Sequence, residues 1–360
     1  MASSSRDSGV SLTPFFDRCL LPPSVKDDCD AFVRRRYISE PIRAAPFQGY
    51  CSYTLFIGDH TVVQFRPSAH KLDIGITATA CQIFGTLAPE TKCLAEFTDV
   101  DLCAFELRRL PGVSLPDIRA APSAKSVREG LVRDFAHLQT QAWRHSKTKS
   151  DLRGMQRTVG SSLRWRLESM SVSLPSGSSR NLARSILAKL PLIEDLPWVF
   201  THGDFLPSNI MACPRTGAIL GLLDWAEAEW LPFGIGAYGL EELLGEDKNE
   251  KFVYYPEADH LRGLFWEELL ISLPELAKDS QAVASVKLAQ QLGILLWHGI
   301  AFDDGRLNRV VEEGKDDQEI QKLNIFISNT THIHNPRLRI MHSFLESALA
   351  TVCNLIIRKT

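Results

Sequence analysis

The stretch Thr201-His202-Gly203-Asp204-Phe205-Leu206-Pro207-Ser208-Asn209, followed fifteen positions after its asparagine by Asp224, has residue types and spacings suited to moving a phosphoryl group. Such a transfer needs a carboxylate that orients and deprotonates the accepting hydroxyl. It also needs oxygen ligands that hold Mg²⁺ on nucleotide phosphates. A short loop carrying Asp204 and, five positions on, Asn209 can aim both side chains into one cavity. The apolar strand Ala218 to Leu223 then delivers Asp224 beside them. The order and spacing are those of the kinase loop H-R-D-L-x-x-x-N and the metal aspartate that follows it. Asp-x-x-x-x-Asn alone arises by chance, and a His-Gly-Asp turn can be only a turn. The entering strand Pro197 to Phe200, the offset of Asn209 and the delivery of Asp224 together point to catalysis.

With His202-Gly203-Asp204-x-x-x-x-Asn209, Leu223-Asp224-Trp225-x-x-Ala228 and Pro232-Phe233-Gly234, the chain resembles the aminoglycoside phosphotransferase (APH)/choline kinase-like superfamily, in particular a fungal-type branch. The resemblance runs from about Phe47 to about Leu296. It implies an α+β, two-lobed, protein-kinase-like fold with a small antiparallel N-terminal sheet and a mainly helical C-terminal lobe. It also implies ATP- and Mg²⁺-dependent phosphorylation of a small molecule, with Asp204 as catalytic base and Asn209 and Asp224 as Mg²⁺ ligands.

The elements that must position these groups follow in chain order. Residues 1–13 are Ser-rich and expected to be disordered, 14–108 form the N-terminal lobe and 109–360 the C-terminal lobe. Alternation in Tyr53 to Ile57 and Thr61 to Phe65, split by Gly58-Asp59, predicts a β-hairpin. Gly49 and Ser52 fall on the turn leading into it, where a kinase loop covers the nucleotide phosphates. An ordinary turn glycine explains Gly49 equally well. The second strand should carry a phosphate-binding lysine but reads Val63-Gln64-Phe65-Arg66. Gln64 and Arg66 share a face, and the guanidinium of Arg66 is the better phosphate ligand. The helix Leu72 to Phe84 should supply a glutamate to orient that cation, yet no Glu occurs between Asp73 and Glu90; Asp73 or Gln82 are the substitutes available. Leu102 to Gly112 reads as a strand and inter-lobe hinge. The resemblance implies that backbone groups from Phe105 to Leu107 meet the adenine edge, although a plain edge strand would need no ligand.

Helical spacing is clear at Ser126 to Trp143, Leu261 to Leu273, Val283 to Phe302, Ile320 to Phe326 and Ile340 to Ile357, with a loop at Leu174 to Arg180. Arg144 to Arg166 is basic, whereas Glu227 to Glu275 is acidic. The asymmetry balances two surfaces, or lines a pocket for a cationic acceptor. His332-x-His334 has metal-binding spacing without a third ligand nearby.

The 360 residues, 44% hydrophobic, can bury a substantial core. A net charge of −3 gives no reason to expect nucleic acid or an anionic membrane as partner. The eight cysteines contain no Cys-x-x-Cys pair, as expected of reduced thiols. No run approaches a membrane span, and a soluble cytoplasmic protein is the expectation. A silent kinase-like binding module, motivated by the missing Lys and Glu, and acyl or nucleotidyl transfer from ATP are the competing readings.

Overall fold

The computed structural model describes residues 15–331 apart from 47, 50, 120–124, 156–157 and 304–305. The serine-rich N-terminus, the His332/His334 pair and the helix expected at 340–357 lie outside the described residues. Helices α1 (Phe15–Arg18) and α2 (Pro23–Arg36) precede strands β1 (Ile42–Ala44), β2 (Tyr53–Ile57) and β3 (Thr61–Pro67). Helix α3 (Ile74–Phe84) then leads to β4 (Thr91–Phe97) and β5 (Leu102–Arg108). The strands form one antiparallel sheet in the order β1-β2-β3-β5-β4. Because side chains alternate, Tyr53, Leu55, Ile57, Val63, Phe65, Leu102 and Ala104 share one face. That face is covered by Phe15, Phe16, Val25, Cys29 and Val33 of α1 and α2. The opposite face carries Thr54, Gln64, Arg66, Cys103 and Phe105. Their sharing it follows from the register, which pairs Gln64 with Thr54 and Phe105, and Arg66 with Cys103.

The chain leaves β5 and enters β6 (Val113–Ser114), which pairs with a strand of the catalytic hairpin. Helices α4 (Leu115–Arg119), α5 (Lys125–Arg144), α6 (Leu163–Ser173) and α7 (Gly177–Glu194) follow. Strands β7 (Trp198–Thr201), β8 (Ile210–Ala212), β9 (Ile219–Leu222) and β10 (Glu229–Pro232) frame the loop that carries Asp204 and Asn209, and α8 (Gly239–Leu243) follows. The remainder runs through β11 (Gly245–Lys248), β12 (Lys251–Tyr254), α9 (Ala258–Ser272), α10 (Pro274–Ala277), α11 (Ser280–Gly299), β13 (Ile300–Asp303), β14 (Arg306–Val310) and α12 (Asp317–Thr331). One large apolar cluster joins α5, α6, α7, α9 and α11 to the catalytic strands. Phe84 of α3 belongs to it, so α3 packs on the C-terminal lobe as well as on its own.

Three expectations change. The segment expected as a loop from Leu174 to Arg180 turns helical at Gly177. The helix expected to reach Phe302 ends at Gly299, because Ile300 to Asp303 pairs as a strand with β14. The hairpin of β11 and β12 has no counterpart in the expectations, since two four-residue strands leave little periodicity to read.

Candidate active site

The loop that carries Asp204 is held by a glycine turn and by side chains that bond its backbone. After β7, Gly203 takes a φ of +79°, and a Cβ there would lie 2.2 Å from the carbonyl oxygen of Glu227. Only glycine allows the loop to lie so close to the segment after Asp224. His202 is buried, and its Nδ1 accepts the Asp204 N–H at 3.2 Å. Nε2 must therefore carry the proton, donated to the Leu223 carbonyl at 2.7 Å. Burial pushes the imidazole down to about 4, so the ring is neutral and braces the loop. The Phe205 N–H donates to the Tyr238 hydroxyl at 2.7 Å, fastening the far side.

Asp204 and Asn209 meet inside this frame. Asn209 Nδ2 donates to Asp204 Oδ2 at 2.8 Å and to the Asp204 carbonyl at 3.0 Å. With its side-chain nitrogen so engaged, Asn209 has its side-chain oxygen, Oδ1, left as the group able to ligate a cation. Strand β8 starts at the next residue and pairs Ile210 with Leu222, which sets Asn209 opposite Leu223. The Leu223 N–H donates to the main-chain carbonyl of Asn209 at 2.8 Å. Leu223 is thus clamped from both sides, by Asn209 and by His202, and Asp224 projects from that clamp. Asp224 has φ +54°, a conformation that Asp tolerates better than most residues and that recurs at functional sites. Trp225 locks the turn from below: its Nε1 donates to the Leu222 carbonyl at 2.9 Å, and its ring lies 4.5 Å from His202 and 5.0 Å from Phe84.

The N-terminal lobe meets this carboxylate through Arg66. Its Nη2 lies 3.7 Å from Asp224 Oδ1, and the arginine is buried whereas the aspartate is 41% exposed. The orienting partner expected from α3 is absent. Asp73 caps that helix, accepting from Gly75 N–H at 2.7 Å and Ile76 N–H at 3.3 Å, and Gln82 is exposed. Instead Arg66 Nε donates to Gln64 Oε1 at 3.0 Å, two residues along the same strand.

The loop entering β2 is closed by Gln48, whose amide bonds the Ala45 and Thr54 carbonyls and accepts the Thr54 N–H. Gly49 lies in it, with its carbonyl 3.4 Å from Arg18 Nη2. Ser52 is buried, and its hydroxyl is 3.1 Å from that of Thr54, so it braces the loop and is not presented to a ligand. The sequence reading missed Cys51. Burial pushes its thiol up to about 11, with Arg66 opposing and Asp224 and Glu227 adding to the rise.

Phe105 and Leu107 are not hinge residues. Both lie inside β5, in register with β3 on one side and β4 on the other, so their backbone groups are committed to the sheet. Phe105 is fully buried beside Leu72 and Cys103. The crossing lies beyond the strand, at Leu110 to Gly112. There Gly112 has φ +94° and a Cβ would meet the Ala212 carbonyl at 2.8 Å.

Glu229 is also structural: its carboxylate accepts the N–H groups of Val159 at 2.8 Å and Gly160 at 3.1 Å. Glu227 differs. Its side chain is open to solvent at the cleft yet hemmed in by protein, and that crowding, with the charges of Asp224 and Asp204, pushes its carboxyl up to about 8 while Arg66 opposes. The cleft therefore carries more negative charge than Arg66 offsets, the condition a divalent cation relieves. Among the described residues no group of three His, Cys, Asp or Glu side chains is assembled to hold a metal alone. One amide oxygen and one carboxylate completed by phosphate oxygens fit Mg²⁺, which rarely has an all-protein cage. No described helix is long and apolar enough to cross a membrane.

Comparison with solved structures finds the same architecture in aminoglycoside phosphotransferases. The GDP complex of aminoglycoside 2'-phosphotransferase-IIIa aligns over 84% of this chain and 99% of its own, at 14% identity and a TM-score of 0.57. The GDP and kanamycin complex of APH(2'')-IIIa aligns over 84% and 99%, at 13% identity and 0.54. Aminoglycoside phosphotransferase APH(4)-Ia aligns over 86% and 100%, at 16% identity and 0.51. At such identities the likeness establishes the two-lobed fold. No curated protein sequence matches the chain. The sequence pattern of the APH phosphotransferase enzyme family matches residues 49–234, from the loop before β2 to the turn after β10. The chain belongs to the APH phosphotransferase enzyme family.

Proposed function

We propose that the protein is an ATP- and Mg²⁺-dependent kinase acting on a hydroxyl group of a small molecule. One observation carries the reading: Arg66 reaches across the cleft to within 3.7 Å of Asp224, while Asp204 and Asn209 are bonded to each other on the same hairpin frame. Asp224 and the Asn209 amide oxygen would hold Mg²⁺, which when bound neutralises charge on the nucleotide phosphates. Arg66 binds phosphate oxygens, and the loop containing Gly49 covers them with backbone groups. Asp204 orients the acceptor hydroxyl and takes its proton as the acceptor oxygen bonds to the terminal phosphorus. The bond from that phosphorus to the bridging oxygen breaks, and a nucleoside diphosphate leaves. A cationic group on the acceptor, near its reacting hydroxyl, would draw the raised carboxyl of Glu227 into its charged form and pair with it.

A second reading, a catalytically silent binding module, is favoured by the lack of any acidic side chain from α3 on Arg66. Thermal unfolding with and without Mg·ATP, in wild type and Asp224→Ala, separates the two. Nucleotide at a hundred times its Kd stabilises the folded state by about 2.7 kcal/mol. We expect a Mg²⁺-dependent rise in Tm that Asp224→Ala abolishes. No rise at millimolar nucleotide would favour the silent module.

A further inference from the structure

We infer that Gln64 is the positioning residue for Arg66, taking from within strand β3 the task that the notional helix glutamate would perform. The inference rests on the nucleotide reading above. Arg66 meets two partners in the cleft, Gln64 Oε1 on Nε and Asp224 Oδ1 near Nη2. Two residues apart on one strand, Gln64 and Arg66 must project from the same face, so their bond is set by the pleat and needs no helix to arrive. The register fixes the acceptor in turn, since Gln64 is flanked by Thr54 of β2 and the fully buried Phe105 of β5. Meanwhile the groups on α3 that could have competed are engaged elsewhere or exposed: Asp73 caps its own helix and Gln82 faces solvent.

The choice of an amide has an electrostatic consequence. A carboxylate on Arg66 would cancel much of its charge, whereas a glutamine carbonyl holds the guanidinium and leaves the charge whole. Arg66 then offers Asp224 and a phosphate a full cation at a fixed angle, with Nε spent on Gln64 and the terminal nitrogens turned to the cleft. It also uncouples the orientation of the cation from the placement of α3, so displacement of that helix does not release Arg66.

The test is calorimetric titration with Mg·ATP and with adenosine, which lacks phosphates. A hydrogen bond to a charged group is worth enough to change binding about tenfold or more. We expect Gln64→Leu to weaken Mg·ATP about tenfold and leave adenosine unchanged. Gln64→Glu, which keeps the acceptor but offsets part of the charge of Arg66, should bind Mg·ATP more tightly than Gln64→Leu and more weakly than wild type. Acting through Arg66, Gln64→Leu should add nothing to Arg66→Ala in the double variant. Gln64→Met, of similar length and also without the carbonyl, repeats the test should leucine disturb the strand. Unchanged Mg·ATP affinity, an equal loss for adenosine, or additive losses in the double variant would each overturn the positioning role while leaving the nucleotide site standing. Wild-type protein that binds neither Mg·ATP nor adenosine would overturn the nucleotide reading and this inference together.

Discussion

At His202 the chemistry of a single ring decides how the catalytic loop responds to acid. The imidazole titrates near 6.5 when unfolded, but in the fold burial pushes it down to about 4. Between those values the unfolded chain binds a proton that the folded one refuses. Stability from His202 is therefore complete above pH 6.5 and is lost as pH falls toward 4, by about 3 kcal/mol in all. We expect urea unfolding of wild type and His202→Gln, in Mg²⁺-free buffer, to differ most at pH 7 and to converge by about that amount near pH 4. A constant difference would mean the ring is not held neutral. This residue, with Gly203, Asp204 and Asn209, was legible in the sequence because the loop is bonded almost entirely within its own hairpins. The partner of Arg66 was not, because the search looked to α3, as the family pattern directs. The signal lay two residues away in Gln64, whose shared face with Arg66 follows from alternation alone.

Among the elements, α3 has a different task from the one its position suggested. It brings no carboxylate to the cleft, but its last residue, Phe84, rests 5.0 Å from Trp225 and belongs to the large core. Phe84→Ala should cost about 3 kcal/mol, as buried aromatic truncations do. It should also weaken Mg·ATP binding, because Trp225 follows Asp224 directly. Chemical unfolding and titration of the one variant check both, and an affinity equal to wild type would confine α3 to stability. The sequence placed this helix and the β2–β3 hairpin well, since period and turn chemistry are local. The crossing falls at the end of the Leu102 to Gly112 segment that reads as strand and hinge, whereas Phe105 to Leu107 lie inside the strand. Pro111-Gly112 announces the turn that ends the strand, but whether the backbone groups before it are free depends on neighbours at β3 and β4, far away in the chain.

Across the whole molecule, the acidic character from Glu227 to Glu275 proves to be partly interior. Glu241 is fully buried and accepts a two-pronged bond from Arg262, at 3.0 and 2.8 Å, and another from the Tyr254 hydroxyl. Glu242 is equally buried, with Lys322 of α12 at 3.3 Å and burial raising its carboxyl. These charges bind helices together and cannot line a substrate pocket, which a linear count of charges could not distinguish. Breaking a buried pair strands its partner, so Arg262→Ala should cost about 3–5 kcal/mol. Asp259→Ala removes the other, 98% exposed partner of Arg262 and should cost under about 1 kcal/mol. Denaturation midpoints of the two variants decide it, and near-equal losses would contradict the burial argument.

The crossing at Gly112 gives the molecule a mechanical property as well as a connection. The chain passes from sheet to helices there, pressed against the Ala212 carbonyl, and β6 at once joins the ladder that ends at Asn209 and Leu223. The N-terminal sheet is thus joined to the same small ladder that sets Asn209 opposite Leu223, next to Asp224. A change in the angle of that joint would change the 3.7 Å gap between Arg66 and Asp224, which makes the gap a gauge of the joint.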